Sequence, residues 1–173
     1  TDLGTPKSYF QENKQVYDEL FSGDPVKGLA LGIGGDQTGT LLYRLFHGEF
    51  GAEGKVYWLL IGINDLLGGQ CTSDLVVAGT ILNVEAILAA KPSATVVVNS
   101  LLPFHRGVLA QSRGWQYIQS MNDRLECYAS GRERVEFFNA TDYFLTDDKM
   151  QVNFTLMAVD QFHPGGEGSR VWG

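Results

Sequence analysis

The sequence predicts an α/β protein, a three-layer α/β/α sandwich around a parallel sheet. Three observations predict it. Four short apolar runs, "GLALGIG" at residues 28–34, "VYWLLIGI" at 56–63, "TVVVNSLLP" at 95–103 and "VEFFNA" at 135–140, are mostly β-branched or aromatic and show no polar alternation. That is the pattern of strands buried on both faces. The stretches between them place apolar residues at helical spacing. Helix and strand alternate strictly, which calls for crossover connections between parallel strands and helices on the faces of the sheet.

The elements follow in order. After the opening "TDLGTPKSYF", a helix is predicted over "SYFQENKQVYDELF", residues 8–21, and then the first strand, 28–34. "TGTLLYRLFHGEF" puts Leu41, Leu42, Leu45 and Phe46 on one helical face, with Gly48 near its end. The second strand, 56–63, leads to a helix over 74–91 through Leu75, Val76, Ala78, Ile81, Leu82, Ile87 and Leu88. Pro92 stops it, because the residue before a proline is disfavoured in the helical region. The third strand, 95–103, is followed by a helix over 114–129 with Ile118, Met121, Leu125 and Tyr128 on one side, and the fourth strand, 135–140, closes the pattern. In such sheets ligands bind beyond the carboxyl ends of the strands. A doubly wound domain more often opens with a strand than with a helix, so a further strand is expected ahead of this chain.

With 173 residues the chain suits one domain, residues 1–173, able to bury roughly 70% of the surface its unfolded form exposes. Apolar residues make up 44% and charged ones 19%, too apolar for disorder. A net charge of −7 with no Lys/Arg cluster argues against nucleic acid as a partner, since phosphate binding gathers several cations on one face. Uninterrupted apolar stretches fall short of the ~18 residues of a membrane helix, so no membrane span is expected. Cys71 and Cys127 stand alone, without a CxxC pair or nearby His, so zinc is not expected and two buried free thiols are, with a disulfide the alternative in a secreted protein. Sequons at Asn139 and Asn153 hint at secretion, but Asn139 ends a strand predicted to be buried, a poor place for a glycan. Localisation stays open between cytoplasm and secretion.

Three polar clusters sit where ligands are expected. "GIGGDQTGT" follows the first strand, and taken alone it reads equally as a tight turn with Gly34 or Gly35 at positive φ and as an anion-binding helix N-terminus. It is a poor phosphate loop, because no GK[ST] follows and the GxGxxG spacing is not met. In "GIND", Asn64 ends a strand, which suits a turn former or helix cap and equally an amide donor to an oxyanion. "DQFH" sets Asp160 three residues before His163, within reach of one tight loop, where a carboxylate would fix the tautomer of a general-base imidazole. "HPGGEG" marks that stretch as a loop, while His47 and His105 read as surface or packing residues.

"GIGGDQT", "GIND" and "DQFHP", in this order along nearly the whole chain, resemble the SGNH (GDSL-type) hydrolases. The nearest likeness is to the branch of platelet-activating-factor acetylhydrolase subunits, where a similar turn leads into a helix much like "TGTLLYRL". The resemblance implies a flavodoxin-like parallel sheet of strand order 2-1-3-4-5, and an esterase with no metal or cofactor. It maps the oxyanion hole to Gly35 and Asn64 and the acid and base to Asp160 and His163. It also implies a nucleophilic serine in a "GDS" turn ending the first strand, and this sequence has none in place. "TDLGTPKSYF" looks like the continuation of that turn, so the serine is expected one or two residues ahead of Thr1. The chain is thus expected to be truncated at its N-terminus, and at its C-terminus, and to be inactive as it stands.

Other serines fit poorly: Ser22 lies beside Gly-Asp, but Pro25 occupies the place of the nucleophile, Ser100 lies within a strand, and Ser73, Ser112 and Ser120 lie on or beside helices. With the first strand absent from an internal position, a gap of roughly 9–10 Å is expected between residues 29–34 and 57–63. For the full-length parent the implied function is hydrolysis of carboxylic esters, small acyl or acetyl groups on sugars or lipids, by Ser-His-Asp catalysis. Trp115, Phe104 and Phe162 are candidates to line its pocket or simply to pack. Members of the branch often pair, so a homodimer is an expectation. The alternative is a non-catalytic flavodoxin-like module that binds an anion or glycan at "GIGGDQTG".

Overall fold

A strand exists only where a neighbouring backbone accepts its ladder, and the computed structural model shows three places where that condition is met. It describes residues 6–51, 53–68 and 71–173, with side chains from residue 11 onward. The chain forms two compact units, one from Leu31–Leu102 and Arg113–Ala140, the other from the residues up to Ala30 together with Pro103–Ser112 and Thr141–Gly173.

The first unit holds the sheet. Strands β1 (Val56–Leu59), β2 (Thr95–Asn99) and β3 (Val135–Phe138) lie in the order β1-β2-β3, all parallel. Val56 pairs with Thr95 and Leu59 with Val98, while Val96 pairs with Val135 and Asn99 with Phe138. Parallel neighbours require helical crossovers. Helices α3 (Ile63–Leu67) and α4 (Ser73–Ala90) connect β1 to β2, and α5 (Arg113–Ser130) connects β2 to β3, after α2 (Thr38–Phe46) has opened the unit. The central strand reads "TVVVN" because Val96, Val97, Val98 and Asn99 are all buried. α4 and α5 pack side by side against the sheet, and α2 packs on α4. Their buried stripes are Val76, Val84 and Ile87 on α4 and Ile118, Met121 and Leu125 on α5. Each such side chain contributes about 1.5–3 kcal/mol of transfer free energy. Asn122 ties α5 to the segment after β2, its Oδ1 accepting from the Leu101 N–H at 2.8 Å and its Nδ2 donating to the Leu101 carbonyl at 3.1 Å.

The α/β expectation holds, and the helices fall within a few residues of their predicted bounds. The sheet is smaller than expected. Residues 28–34 are not a strand: Leu29, Leu31 and Ile33 are exposed, and among the described residues the sheet has three strands. Their apolar content suits a buried strand, but no flanking strand pairs with them, so the segment turns through the Asp36 N–H···Ile33 O bond into α2 instead. The gap expected beside it thus has no strand on that side. β1 also stops at Leu59 rather than running to residue 63: its ladder with β2 ends at the Leu59–Val98 pair, and Gly62, at φ 116°, then turns the chain into α3.

α4 is long and apolar enough to cross a membrane, alone among the described residues, yet seven of its side chains are buried in this fold. Cys71 and Cys127 are free and neither is buried: Cys71 is half-buried, and Cys127 is exposed, since α5 turns Ile118, Met121 and Leu125 inward.

The second unit pairs α1 (Pro6–Phe21) with α6 (Gly166–Trp172). Asn13 joins them, its Nδ2 donating to the Pro164 carbonyl at 3.1 Å while its Oδ1 accepts from Ser169 Oγ at 3.0 Å. Phe144, wholly buried, and Val152 form its core with Leu109. α6 stands where "HPGGEG" predicts loop, because its seven residues carry no apolar period.

Candidate functional site

The candidate residues fall into two pairs, one in each unit. In the second unit, residues 157–164 form a tight loop closed by the Met157–Pro164 bridge and by the Ala158 N–H donating to the His163 carbonyl at 2.7 Å. Within it Gln161 takes φ 58°, a left-handed conformation that costs a non-glycine residue roughly 1–2 kcal/mol. The Asp160 carboxylate holds the turn. Its Oδ1 accepts from the backbone N–H groups of Phe162 and His163 at 2.9 and 3.0 Å, and its Oδ2 meets His163 Nδ1 at 2.7 Å. Burial pushes the Asp160 carboxyl up, but the His163 N–H, the imidazole and the Phe162 N–H outweigh it and hold it below its ordinary range. With Nδ1 against a carboxylate, the geometry suits an Nδ1–H donor and leaves Nε2 the basic nitrogen. The pair sits beside aromatic rings: Phe162 meets the His163 ring edge to face at 4.9 Å, and Phe104 meets Phe162 at 5.4 Å.

In the sheet unit, the loops leading into α2 and α3 are joined. Gly35, exposed, takes φ 86° at the head of α2, and Gly62 takes φ 116° with no room for a side chain, since a Cβ there would meet Val76 Cγ1 at 2.7 Å. This turn sets Asn64 at the start of α3, where its Nδ2 donates to the Asp36 carbonyl at 2.9 Å and its own carbonyl accepts from Gln37 Nε2 at 3.4 Å. One N–H of the carboxamide is therefore used in holding the Gly35–Asp36 turn, and the second remains to face an acceptor. Arg44 grips the same turn, bonding the Leu31 carbonyl at 3.1 Å and pairing with Asp36 and Glu49.

The structure thus brings Asp160 to His163, and Asn64 to the residue after Gly35. Trp115 is a core residue of α5, 6% exposed, and His47 is an exposed ring stacked on Tyr43 at 3.8 Å. Sequence reasoning missed Asp65 and Thr38. The Asp65 carboxylate is buried and accepts the Thr38 N–H at 3.0 and 3.2 Å and the Thr38 hydroxyl at 2.7 Å. The only signal for it was an acid standing directly after Asn64 in "GIND". Among the described residues no cluster of metal-ligating side chains occurs.

The chain is 31% identical over 137 residues to platelet-activating factor acetylhydrolase IB subunit alpha1 of Pongo abelii, covering 78% of this chain and 55% of that protein. It thus spans about half the length of the curated relatives it matches. Its fold superposes on a GDSL-like lipase from Bacteroides thetaiotaomicron with a TM-score of 0.72, 20% identity, and coverage of 97% and 85% of the two chains. An acetyl-xylooligosaccharide esterase from Geobacillus superposes with a TM-score of 0.69 at 17% identity, over 94% and 76%. Residues 7–171 match one family along almost their whole length, and the chain belongs to it: the GDSL-like lipase/acylhydrolase family.

Proposed function

We propose that this chain is the greater part of one serine esterase domain that hydrolyses carboxylic esters of small acyl groups, acetyl first among them. The observation that carries the reading is the 2.7 Å contact between His163 Nδ1 and Asp160 Oδ2, on a carboxylate whose other oxygen is fixed by two backbone N–H groups. An imidazole so held has one tautomer and one orientation, the requirement for general-base catalysis. In this reading a serine hydroxyl, expected ahead of Thr1, adds to the acyl carbon while His163 Nε2 takes its proton. The Gly35 N–H and the Asn64 carboxamide donate to the carbonyl oxygen as it becomes anionic. Collapse breaks the bond to the alcohol, which leaves with the proton from His163. Water then adds to the acyl-enzyme by the same route, releasing the acid and restoring the serine. Each oxyanion donor contributes about 3 kcal/mol to lowering the barrier.

Membership of the family and the name of the acetylhydrolase relative support an acyl ester as substrate. The competing reading, a module that binds an anion at the head of α2, is weakened by Asp65, whose carboxylate already takes the Thr38 N–H there. The test is to read the codons ahead of Thr1 and to assay the natural-length protein on p-nitrophenyl acetate and butyrate with a serine-directed phosphonate. Hydrolysis abolished by the phosphonate, with the adduct on a serine ahead of Thr1, is expected. Absence of both turnover and adduct would sink the reading.

A further inference from the structure

We infer that Asp65 is a positioning residue whose buried carboxylate sets the register between the Gly35 turn and Asn64. The inference rests on the esterase reading, in which those two supply the oxyanion donors. Asp65 is 4% exposed, and such a charge is tolerated inside a fold only when its lone pairs are satisfied. Both its oxygens bond to one residue, Thr38, through the backbone N–H and the hydroxyl. Asp65 directly follows Asn64, and Thr38 lies three residues after Gly35, so this contact joins the two donor segments at their roots.

Thr38 is itself held by α4. Its carbonyl accepts from Asn83 Nδ2 at 2.9 Å, and Gly79 of α4 lies so close that a Cβ there would stand 2.4 Å from Thr38 Oγ1. Asp65 is therefore tied to a point fixed by α4 from the opposite side. The outer bonds between the same loops, Asn64 Nδ2 to the Asp36 carbonyl and Gln37 Nε2 to the Asn64 carbonyl, lie nearer the surface and join neutral groups. A slip at Asp65 would carry Asn64 Nδ2 with it, and a displacement of about 1 Å in a catalytic donor can cost on the order of 10²-fold in rate. A helix cap alone would need only the Thr38 N–H. The second bond, from the hydroxyl, fixes the lateral position of the carboxylate as well.

The experiment compares Asp65→Asn, Thr38→Val and Thr38→Ser in the natural-length protein, reading kcat and KM on p-nitrophenyl acetate well below each variant's unfolding temperature. In ¹⁵N-labelled samples the Gly35 amide and the Asn64 side-chain amide are followed alongside. Asp65→Asn and Thr38→Val are expected to lower kcat about 10- to 100-fold with KM within about twofold, as misplaced donors would. Both should shift the Gly35 and Asn64 signals, and Thr38→Ser should restore kcat and spectrum. If kcat is unchanged in the folded variants, the positioning role is overturned, whatever happens to the unfolding temperature. Should Asp65→Asn fail to fold, the Thr38→Val and Thr38→Ser pair decides alone. If the unsubstituted protein hydrolyses no ester, the esterase reading falls on its own. The spectra then decide the register, and unmoved Gly35 and Asn64 signals in Thr38→Val overturn it.

Discussion

Asp160 works with both oxygens, one on two backbone N–H groups and one on the imidazole, and this division makes its role measurable. Its carboxyl titrates below the ordinary value near 3.8, so the contribution of the loop is present above that pH and is lost only as pH falls through the lowered value. Carbon-detected titration of the Asp160 carboxyl should give a midpoint below 3.8. In His163→Ala the midpoint should rise only part of the way, because the backbone N–H at 163 still donates. A midpoint at the ordinary value in the unsubstituted chain would mean that neither the backbone bonds of this loop nor the Asp160–His163 side-chain contact persists in solution. Asn64 offers the complementary test on turnover. In the natural-length protein Asn64→Ala should lower kcat by roughly 10²-fold or more if its carboxamide stabilises an oxyanion, and near-normal turnover would remove it from that role. The Gly35 amide signal in a ¹⁵N spectrum of the same variant separates this from displacement of the Gly35–Asp36 turn, which loses its bond from the carboxamide.

At the scale of elements, the contact between α2 and α4 shows a case where packing overrules propensity. Gly79 lies inside α4, where replacing glycine by alanine ordinarily adds about 1 kcal/mol of helix stability. Here the added methyl would stand 2.4 Å from Thr38 Oγ1, and overpacking a filled site costs typically 1–3 kcal/mol. The second effect should win, so Gly79→Ala is expected to lower the thermal midpoint, while a rise would show that α2 yields easily. The same contrast explains what was legible in the sequence. The helices α1, α2, α4 and α5 could be read because each repeats its apolar side often enough to show a period, and Ile118, Met121 and Leu125 are buried as that period requires. α3 and α6 were missed because five and seven residues hold too little of a repeat. Residues 28–34 misled for a different reason: Leu29, Leu31 and Ile33 record a preference for burial, but a strand also needs a partner, which no local pattern reveals. Asp160 and His163 were readable because their contact spans three residues, whereas the Asp65–Thr38 contact spans 27 and has no local sign.

At the largest scale, the three strands of the described residues put β1 at the edge of the sheet. Among the described residues β1 has one strand neighbour, β2, and its Val56 and Trp58 are 56% and 51% exposed, while Leu31 and Ile33 of the same unit are exposed as well. An apolar edge strand is a template for pairing with another chain. Trp58 packs in part on Phe138, 5.0 Å between ring centroids, so Val56 is the residue whose loss costs the fold least. The 173-residue chain is therefore expected to self-associate with rising concentration and to enhance the fluorescence of a hydrophobic dye. Val56→Lys should suppress both, since a charge at an edge opposes strand addition, and should leave the unfolding free energy within about 0.5 kcal/mol, as for other exposed positions. Sedimentation velocity across a hundredfold range of concentration reads the first effect and chemical denaturation the second. A chain that remains monomeric throughout, with no response to Val56→Lys, would mean that this flank is covered in solution. In that case β1 is not the surface through which copies of this protein meet.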